Sequence, residues 1–129
     1  MTATAWAHLS NAAHIDRILT SSKKSPKKWD EAQYAARDEA WAAAWHAVQN
    51  PARYVARDAA FNAIKIPARG IAWDAAWDAA RGTILALVAW DDCAYILELP
   101  EDVLKVLRAV GNEQAILLST AAHALRETS

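Results

Sequence analysis

Residues 68–98, ARGIAWDAAWDAARGTILALVAWDDCAYILE, are the stretch that decides the fold. Placed on a helix at about 100° per residue, Trp73 and Trp77 begin an apolar stripe that continues into positions 84–88. Those last positions are apolar nearly all round the helix, a pattern typical of a helix buried on most sides. The sequence therefore predicts one long central helix over residues 68–98, with the other segments packed around it and Gly82 as a place where it could bend.

The composition indicates one all-α domain. The chain has 129 residues, 54% hydrophobic and 22% charged, so it can bury one core but is too short for two ordinary domains. Alanine, the strongest helix former, is abundant, whereas only three glycines and four prolines interrupt the chain. The formal net charge of −1 gives no argument for a polyanionic partner. We expect a compact single-domain helical bundle over residues 1–129.

Prolines and caps mark the ends of about six predicted helices. Pro26, Pro51 and Pro100 each suit the first turn of a helix, and Pro51, Pro67 and Pro100 each mark the end of the helix before them. Gly111 and Asn112 suit a C-cap and the following N-cap. The predicted helices cover residues 4–19, 26–49, 51–64, 68–98, 100–110 and 112–126. Residues 20–28 are predicted to form a basic polar loop.

Cys93 is the single cysteine, so the chain cannot form an intramolecular disulfide. The carboxylates of Asp91 and Asp92 would raise the pKa of this thiol, so we expect Cys93 to pack in the core rather than act as a nucleophile. The N-terminus does not resemble a signal peptide, and no apolar segment is long enough to span a bilayer. The expected location is the cytoplasm, with no membrane partner.

An internal repeat combines aromatic residues with charged ones. Residues 34–43, YAARDEAWAA, align without gaps on residues 54–63, YVARDAAFNA. Residues 72–79, AWDAAWDA, form a third, partial copy. Each copy sits on its own predicted helix, so the repeat would bring several aromatic side chains into a common core.

The charged residues of the repeat predict ion pairs between helices. If the helices that carry the first two copies are antiparallel, Arg37 could pair with Asp58 while Arg57 pairs with Asp38. Such pairs would select which helices are neighbours rather than add much stability. We expect a structural ion-pair network formed by Arg37, Asp38, Arg57, Asp58, Asp74 and Asp91. The competing interpretation is a functional charged cleft built from Asp38, Asp58, Asp74 and their arginines.

Asp91 falls on the tryptophan stripe, where an unpaired carboxylate would be costly to bury. It could accept a hydrogen bond from an indole or an arginine, or it could be a carboxylate with a shifted pKa in a pocket. Asp74 and Asp78 share a helix face at a spacing that suits a divalent metal if a facing helix supplies more ligands. A small enzyme, or a ligand or metal binder, that uses a carboxylate cleft near Asp74, Asp78 and Asp91 is one alternative function.

No catalytic or cofactor motif supports that alternative. The sequence contains no glycine-rich phosphate loop, no nucleophile elbow and no zinc-type spacing of its histidines. It therefore predicts no cofactor, and it favours a non-enzymatic role without deciding the matter.

Seven tryptophans are more than the core of a small bundle can fully enclose. Exposed tryptophan is characteristic of protein-binding and self-association surfaces. Trp90 points away from the stripe of Trp73 and Trp77, and His46 could border a groove. The candidate interface residues are Trp6, Trp29, Trp90 and His46.

The segment KKSPKK at residues 23–28 could contact phosphate groups. Its SPKK part is similar to the short basic turns of linker histones. The candidate phosphate contacts are Lys23, Lys24, Lys27 and Lys28. Because only one copy is present and no basic helix face extends it, a solvated loop is the preferred interpretation and nucleic acid is the less expected partner.

The run of Ala, Trp, Asp and Arg residues, followed by LVAWDDCA at 87–94 and ILL at 116–118, resembles small alanine- and tryptophan-rich helical proteins of bacteriophages and high-GC bacteria. The resemblance covers residues 30–125, and some of these proteins are labelled putative immunity proteins. It implies a protein that acts by binding another protein. We therefore expect a non-enzymatic protein-binding module, such as a phage-encoded inhibitor of a host or defence protein, or an immunity-type protein; self-association is the other expected use of its surface.

Overall fold

The computed structural model describes residues 5–36, 39–65 and 71–127, and this part of the chain is an all-helical bundle. Its helices are α1 (Ala12–Lys24), α2 (Pro26–Ala36), α3 (Glu39–Ala47), α4 (Tyr54–Ala63), α5 (Ile71–Ala89), α6 (Glu101–Ala109) and α7 (Glu113–Glu127). Two 3-10 turns, Pro51–Arg53 and Ala94–Glu98, lie before α4 and after α5. The predicted fold class is confirmed.

α5 is the central helix. It packs against α1, α2, α4 and α7, and Ile84 and Leu87 are fully buried. α7 is the second enclosed helix, because it packs against α2, α3, α5 and α6 and buries residues 115–122. Alanines at the contacts let these helices approach closely, and Leu and Ile side chains fill the remaining space.

The central helix is shorter than the predicted span of 68–98. It runs without interruption past Gly82 and ends at Ala89, and the chain then turns before the 3-10 turn Ala94–Glu98. Side chains from distant segments satisfy the carbonyls at its end. Asn11 Nδ2 donates to the carbonyls of Leu87 and Trp90, at 2.9 and 2.7 Å, and Arg53 Nη1 donates to the carbonyl of Val88 at 2.9 Å.

The predicted loop at residues 20–28 is wrong. α1 begins later than predicted and continues to Lys24, and α2 starts at Pro26, so Ser25 alone separates them. Ser21 and Ser22 in the last turn of α1 are buried, whereas Lys23 and Lys24 are exposed, and the fully buried Trp29 donates its indole N–H to Ser21 Oγ at 3.0 Å. A buried partner for the serine thus holds this stretch as helix.

The remaining helices begin and end close to the capping residues and prolines predicted from the sequence. The predicted helix 26–49 corresponds to α2 and α3, with residues 37 and 38 outside the described part. Asn50 caps the turn at Pro51 through Ala52 N–H, and Asn112 Oδ1 accepts from Ala115 N–H at the start of α7. Gly111, with φ of 81°, follows α6 as the C-cap pattern predicts. Within the described residues, no helix has both the length and the apolar character needed to cross a membrane.

Candidate functional site

Aromatic side chains from three helices meet on one side of the bundle. Trp41 and Trp45 lie one turn apart on α3 and stack with ring centroids 5.5 Å apart. Trp45 also stacks on Phe61 of α4, at 5.9 Å. All three side chains are half-buried, so the cluster forms part of the core while still reaching the surface.

Arg81 of α5 lies within this cluster. Its Cζ atom is 4.4 Å from the ring centroid of Trp77, 4.9 Å from Trp45 and 5.0 Å from Phe61. Trp77 is one helical turn before Arg81, so the spacing within α5 sets the first contact, whereas α3 and α4 supply the other two. The guanidinium is therefore surrounded by three aromatic rings, which attract its charge.

Arg81 has weaker contacts with polar groups than with these aromatic rings. Among the described residues, its nearest carboxylate is Asp78, with Nη1 to Oδ1 at 4.0 Å. Its Nε is buried, and no acceptor lies within hydrogen-bond distance of that atom in the described structure. Burial lowers the pKa of Arg81; the neighbouring positive charge of Arg57 lowers it further, while Asp78 raises it. Arg81 is thus a partly buried cation whose Nε has no hydrogen-bond acceptor among the described residues.

Arg57 of α4 is the second guanidinium of the cluster. It lies over Tyr54, with Cζ 3.9 Å from the ring centroid, and 5.7 Å from Phe61. Its Nη1 donates to Gln49 Oε1 at 2.6 Å, and its Nε and Nη2 donate to Asp58 Oδ1 at 3.0 and 2.8 Å. In contrast to Arg81, this cation has close polar partners.

Gly82 makes room for the cluster. A Cβ added at this position would lie 2.6 Å from Cζ2 of Trp41, closer than real side chains approach. The glycine therefore lets the indole of Trp41 rest on the backbone of α5. A cavity of about 280 Å³ lies beside it. The residues that line it are Trp41, Ala42, Trp45, His46, Asp78 and Arg81.

We call this set the aromatic–arginine cleft. It consists of Trp41, Trp45, His46, Arg57, Phe61, Trp77, Asp78, Arg81 and Gly82. It combines stacked rings, a cavity and an under-satisfied cation, which are the features that anchor residues at protein interfaces share.

Only two of the four predicted interface residues reach the surface. Trp6 and Trp29 are buried, so the prediction that they reach the surface is wrong. Each indole N–H has an internal acceptor: Trp6 Nε1 donates to Asp16 Oδ1 at 3.0 Å, and Trp29 donates to Ser21. Trp90 is half-buried at the end of α5, and His46 is exposed on the rim of the cleft.

Asp91 accepts a hydrogen bond from an arginine, one of the two roles expected for it. Arg53 Nη1 and Nη2 contact its Oδ1 and Oδ2 at 2.6 and 3.0 Å, and Ser10 Oγ donates to Oδ1 at 3.2 Å. The hydrogen bond from Arg53 lowers the pKa of Asp91. Asp91 is exposed and lies beyond the end of α5, so its expected place on a buried stripe is wrong.

The carboxylate cleft near Asp74, Asp78 and Asp91 does not form. Asp74 is exposed, and Asp78 lies beside Arg81. The end of α5 is about 16 Å along the helix axis from Asp78, so Asp91 is well removed from the other two. Within the described part of the chain, no three His, Cys, Asp or Glu side chains are grouped so as to hold a metal ion.

The predicted ion-pair network is also different. Arg57 contacts Asp58 of its own helix, and Asp91 contacts Arg53, which the prediction did not include. Arg37 and Asp38 lie outside the described residues, so the reciprocal pairing with Arg57 and Asp58 remains untested. Of the residues predicted to form the network, Arg57 and Asp58 thus pair within α4, and Asp91 pairs with Arg53 at the end of α5.

Cys93 is buried in the core, as predicted. Burial, with smaller contributions from Asp92 and Asp91, raises its pKa to about 12. Its Sγ lies 3.5 Å from the carbonyls of Ala86 and Trp90, so it also helps to cap α5. A thiol in this environment is protonated at neutral pH and is not a nucleophile.

The sequence alone did not bring Arg81, Trp41 and Gly82 together in one site, and Gly82 was considered only as a place where the central helix could bend. Part of the site was visible in the sequence, because Trp77 and Arg81 are four residues apart and Gly82 directly follows Arg81. The contacts to Trp45 and Phe61 are tertiary, so helical spacing could not reveal them.

The chain matches no protein-family model, and comparison with curated proteins and with solved structures finds no similar protein. Its function is therefore argued from the chemistry of the site itself.

Proposed function

We propose that this protein is a binding module that recognises another protein through the aromatic–arginine cleft. The partner would place an acidic side chain against Arg81 and an apolar side chain in the cavity beside Trp41 and Trp45. The observation that carries this proposal is the state of Arg81, a guanidinium surrounded by three rings with its nearest carboxylate at 4.0 Å.

Charge complementarity supports an acidic partner group. A carboxylate that approached the exposed part of Arg81 would supply hydrogen-bond acceptors in place of the water that burial has removed. Because the site is partly shielded from water, this ion pair would be stronger than one on an open surface. The fork of donors on arginine matches a carboxylate geometrically. Arg57 adds a second positive charge close enough to lower the pKa of Arg81.

The aromatic side chains support a protein as the partner. Trp, Tyr and Arg are the residue types that dominate binding energy in protein interfaces, especially in half-buried central positions. Stacking holds Trp41, Trp45 and Phe61 in place, so little side-chain entropy would be lost on binding. Inhibition of a host or defence protein, or an immunity-type role, is a function of this kind, and the cytoplasm is the expected location.

Selection from a displayed library of random peptides would test this proposal. We expect the selected peptides to share an Asp or Glu next to a large apolar residue. Their affinity should fall about tenfold or more for Arg81→Met, because a charge-assisted hydrogen bond is lost. Arg108→Met is the matched control, since Arg108 is also half-buried but lies on α6 outside the cleft, and this variant should bind like the parent.

Selected peptides without acidic residues, or peptides that bind Arg81→Met as tightly as the parent, would contradict the proposal. Sedimentation of the free protein is the second arm. A dimer that dissociates in Arg81→Met would show that the cleft is occupied by a second copy of the chain, which would overturn recognition of a different protein.

A further inference from the structure

A second concave surface lies away from the cleft, between α1 and α2. One face of α1 supplies most of its lining, because positions 13, 16, 17, 20, 21 and 24 follow one another at helical spacing. Lys28, near the start of α2, and Leu125 of α7 also line it. The cavity has a volume of about 700 Å³, within the range of small-molecule sites.

Positive charge dominates this groove. Among the described residues that line it are the cations Arg17, Lys24 and Lys28 and one carboxylate, Asp16. Asp16 already accepts a hydrogen bond from the indole of Trp6, and Arg17 reaches Glu98 at 3.5 Å. The lining residues thus carry a formal excess of positive charge in a chain whose net charge is −1. Positive charge is therefore concentrated in this groove.

Polar groups accompany the cations. The hydroxyl-bearing residues Thr20, Ser21 and Ser25 line the same groove. α2, eleven residues long, begins here, and the positive end of its dipole favours an anion. The C-terminus of α1 lies at the same junction, where Ser25 N–H donates to the carbonyl of Ser21 at 2.8 Å.

A neighbouring groove extends the basic surface. It has a volume of about 480 Å³ and shares Thr20 with the first groove, and Lys23 and Lys65 are among its lining residues. The predicted phosphate contacts Lys23, Lys24 and Lys28 are therefore brought to the two sides of the last turn of α1. Lys27 is exposed on α2 and lines neither of these two grooves.

We propose that the groove between α1 and α2 binds a phosphate group carried by a small molecule of about nucleotide size. Lys24 and Lys28 supply point charges, and Arg17 supplies a fork of donors that suits a phosphate. The hydroxyls of Thr20 and Ser25 are placed to donate to the remaining phosphate oxygens. This site is separate from the aromatic–arginine cleft, and neither proposal depends on the other.

Calorimetric titration with adenosine monophosphate and with adenosine tests the proposal. We expect the monophosphate to bind the parent and adenosine to bind at least about tenfold more weakly, because the phosphate supplies the charge-assisted contacts. Lys24→Gln combined with Lys28→Gln should weaken binding of the monophosphate by about tenfold or more. Lys105→Gln, an exposed lysine on α6, is the matched control and should leave binding unchanged.

Circular dichroism shows whether the double variant is still folded, and Arg17→Gln provides an independent second variant. Equal binding of adenosine and its monophosphate would overturn the proposal, as would equal binding by the parent and both variants. Absence of binding by the parent to both adenosine monophosphate and inorganic phosphate would overturn it too. Tight, length-dependent binding of single-stranded or duplex DNA with steep salt dependence would instead identify a polyanion surface.

Discussion

Arg53 and Arg81 are two arginines of one bundle with opposite environments. Arg53 donates to both oxygens of Asp91 and to the carbonyl of Val88, with its closest contact at 2.6 Å. Arg81 is surrounded by rings, and its nearest carboxylate is 4.0 Å away. The hydrogen bond to Asp91 raises the pKa of Arg53, whereas burial lowers that of Arg81.

The difference separates a structural role from a recognition role. Arg53 links the turn before α4 to the end of α5 and leaves few polar groups there without partners. In the described part of the chain, the buried Nε of Arg81 has no acceptor, and burial of a polar group without an acceptor is unfavourable.

Gly82→Ala should produce the largest effect, because it fills the space that Trp41 occupies. Alanine gains about 1 kcal/mol over glycine in helix propensity. The contact at 2.6 Å forces Trp41 to move, and overpacking of this kind costs about 1–3 kcal/mol. We expect a net loss in the free energy of unfolding, measured by urea denaturation, together with a change in tryptophan fluorescence.

The control for Gly82→Ala is the same substitution in a Trp41→Ala background. Without the indole, the alanine at position 82 should stabilise the protein by up to about 1 kcal/mol, because helix propensity alone then acts. If Gly82→Ala has the same sign in both backgrounds, Trp41 is not what requires the glycine.

Asp91→Asn should make stability less dependent on pH in the acid range. The pKa of Asp91 is lowered in the folded state, so its contribution is fully present above the ordinary aspartate value of about 3.9 and is lost as pH falls through the lower folded value. The melting temperature of the parent should therefore exceed that of Asp91→Asn at neutral pH. The gap should close in strong acid.

Asp92→Asn is the matched control for this pH dependence, since Asp92 is the exposed neighbour of Asp91. We expect the Asp92 variant to melt like the parent at neutral pH. A gap for Asp91→Asn that stays constant from neutral pH to about pH 2, well below the ordinary aspartate pKa, would show that the charge of Asp91 is not what Arg53 uses.

Cys93 offers a local probe of the end of α5. Its thiol is buried and has a pKa of about 12, so iodoacetamide should label the folded protein slowly and the unfolded protein fast. Asp91→Asn loosens the Arg53 contact two residues away, so labelling should accelerate severalfold under native conditions. Arg81→Met should leave the rate near that of the parent. Equal acceleration in both variants would mean that labelling reports global unfolding.

The contrast between the two arginines also shows what could be predicted from the sequence. Alanine content and proline positions sufficed for the all-helical class, and the local pattern at Gly111 and Asn112 sufficed for the boundary between α6 and α7. The end of α5 could not be predicted in this way. It depends on Asn11 and Arg53, which are 76 and 35 residues away from the carbonyls they bind.

The burial of the tryptophans likewise could not be predicted from local sequence patterns. Counting them indicated that some reach the surface, but composition cannot say which ones. Trp29 is buried because Ser21, assigned to a loop, is instead in a helix and accepts its indole N–H. The helical spacing between Trp77 and Arg81 was visible, whereas the rings of Trp45 and Phe61 reach Arg81 only once α3 and α4 are packed.

Arg81→Met should have the smallest effect on stability. Methionine keeps much of the apolar contact with the rings and removes a partly dehydrated charge, so the lost cation–π attraction of about 0.5–2 kcal/mol is largely offset. We expect the free energy of unfolding to stay within about 1 kcal/mol of the parent. Arg53→Met, which removes donors from both Val88 and Asp91, should lower the melting temperature clearly more. If thermal unfolding ranks the two variants in the opposite order, Arg81 is a structural residue and the cleft loses its main argument for recognition.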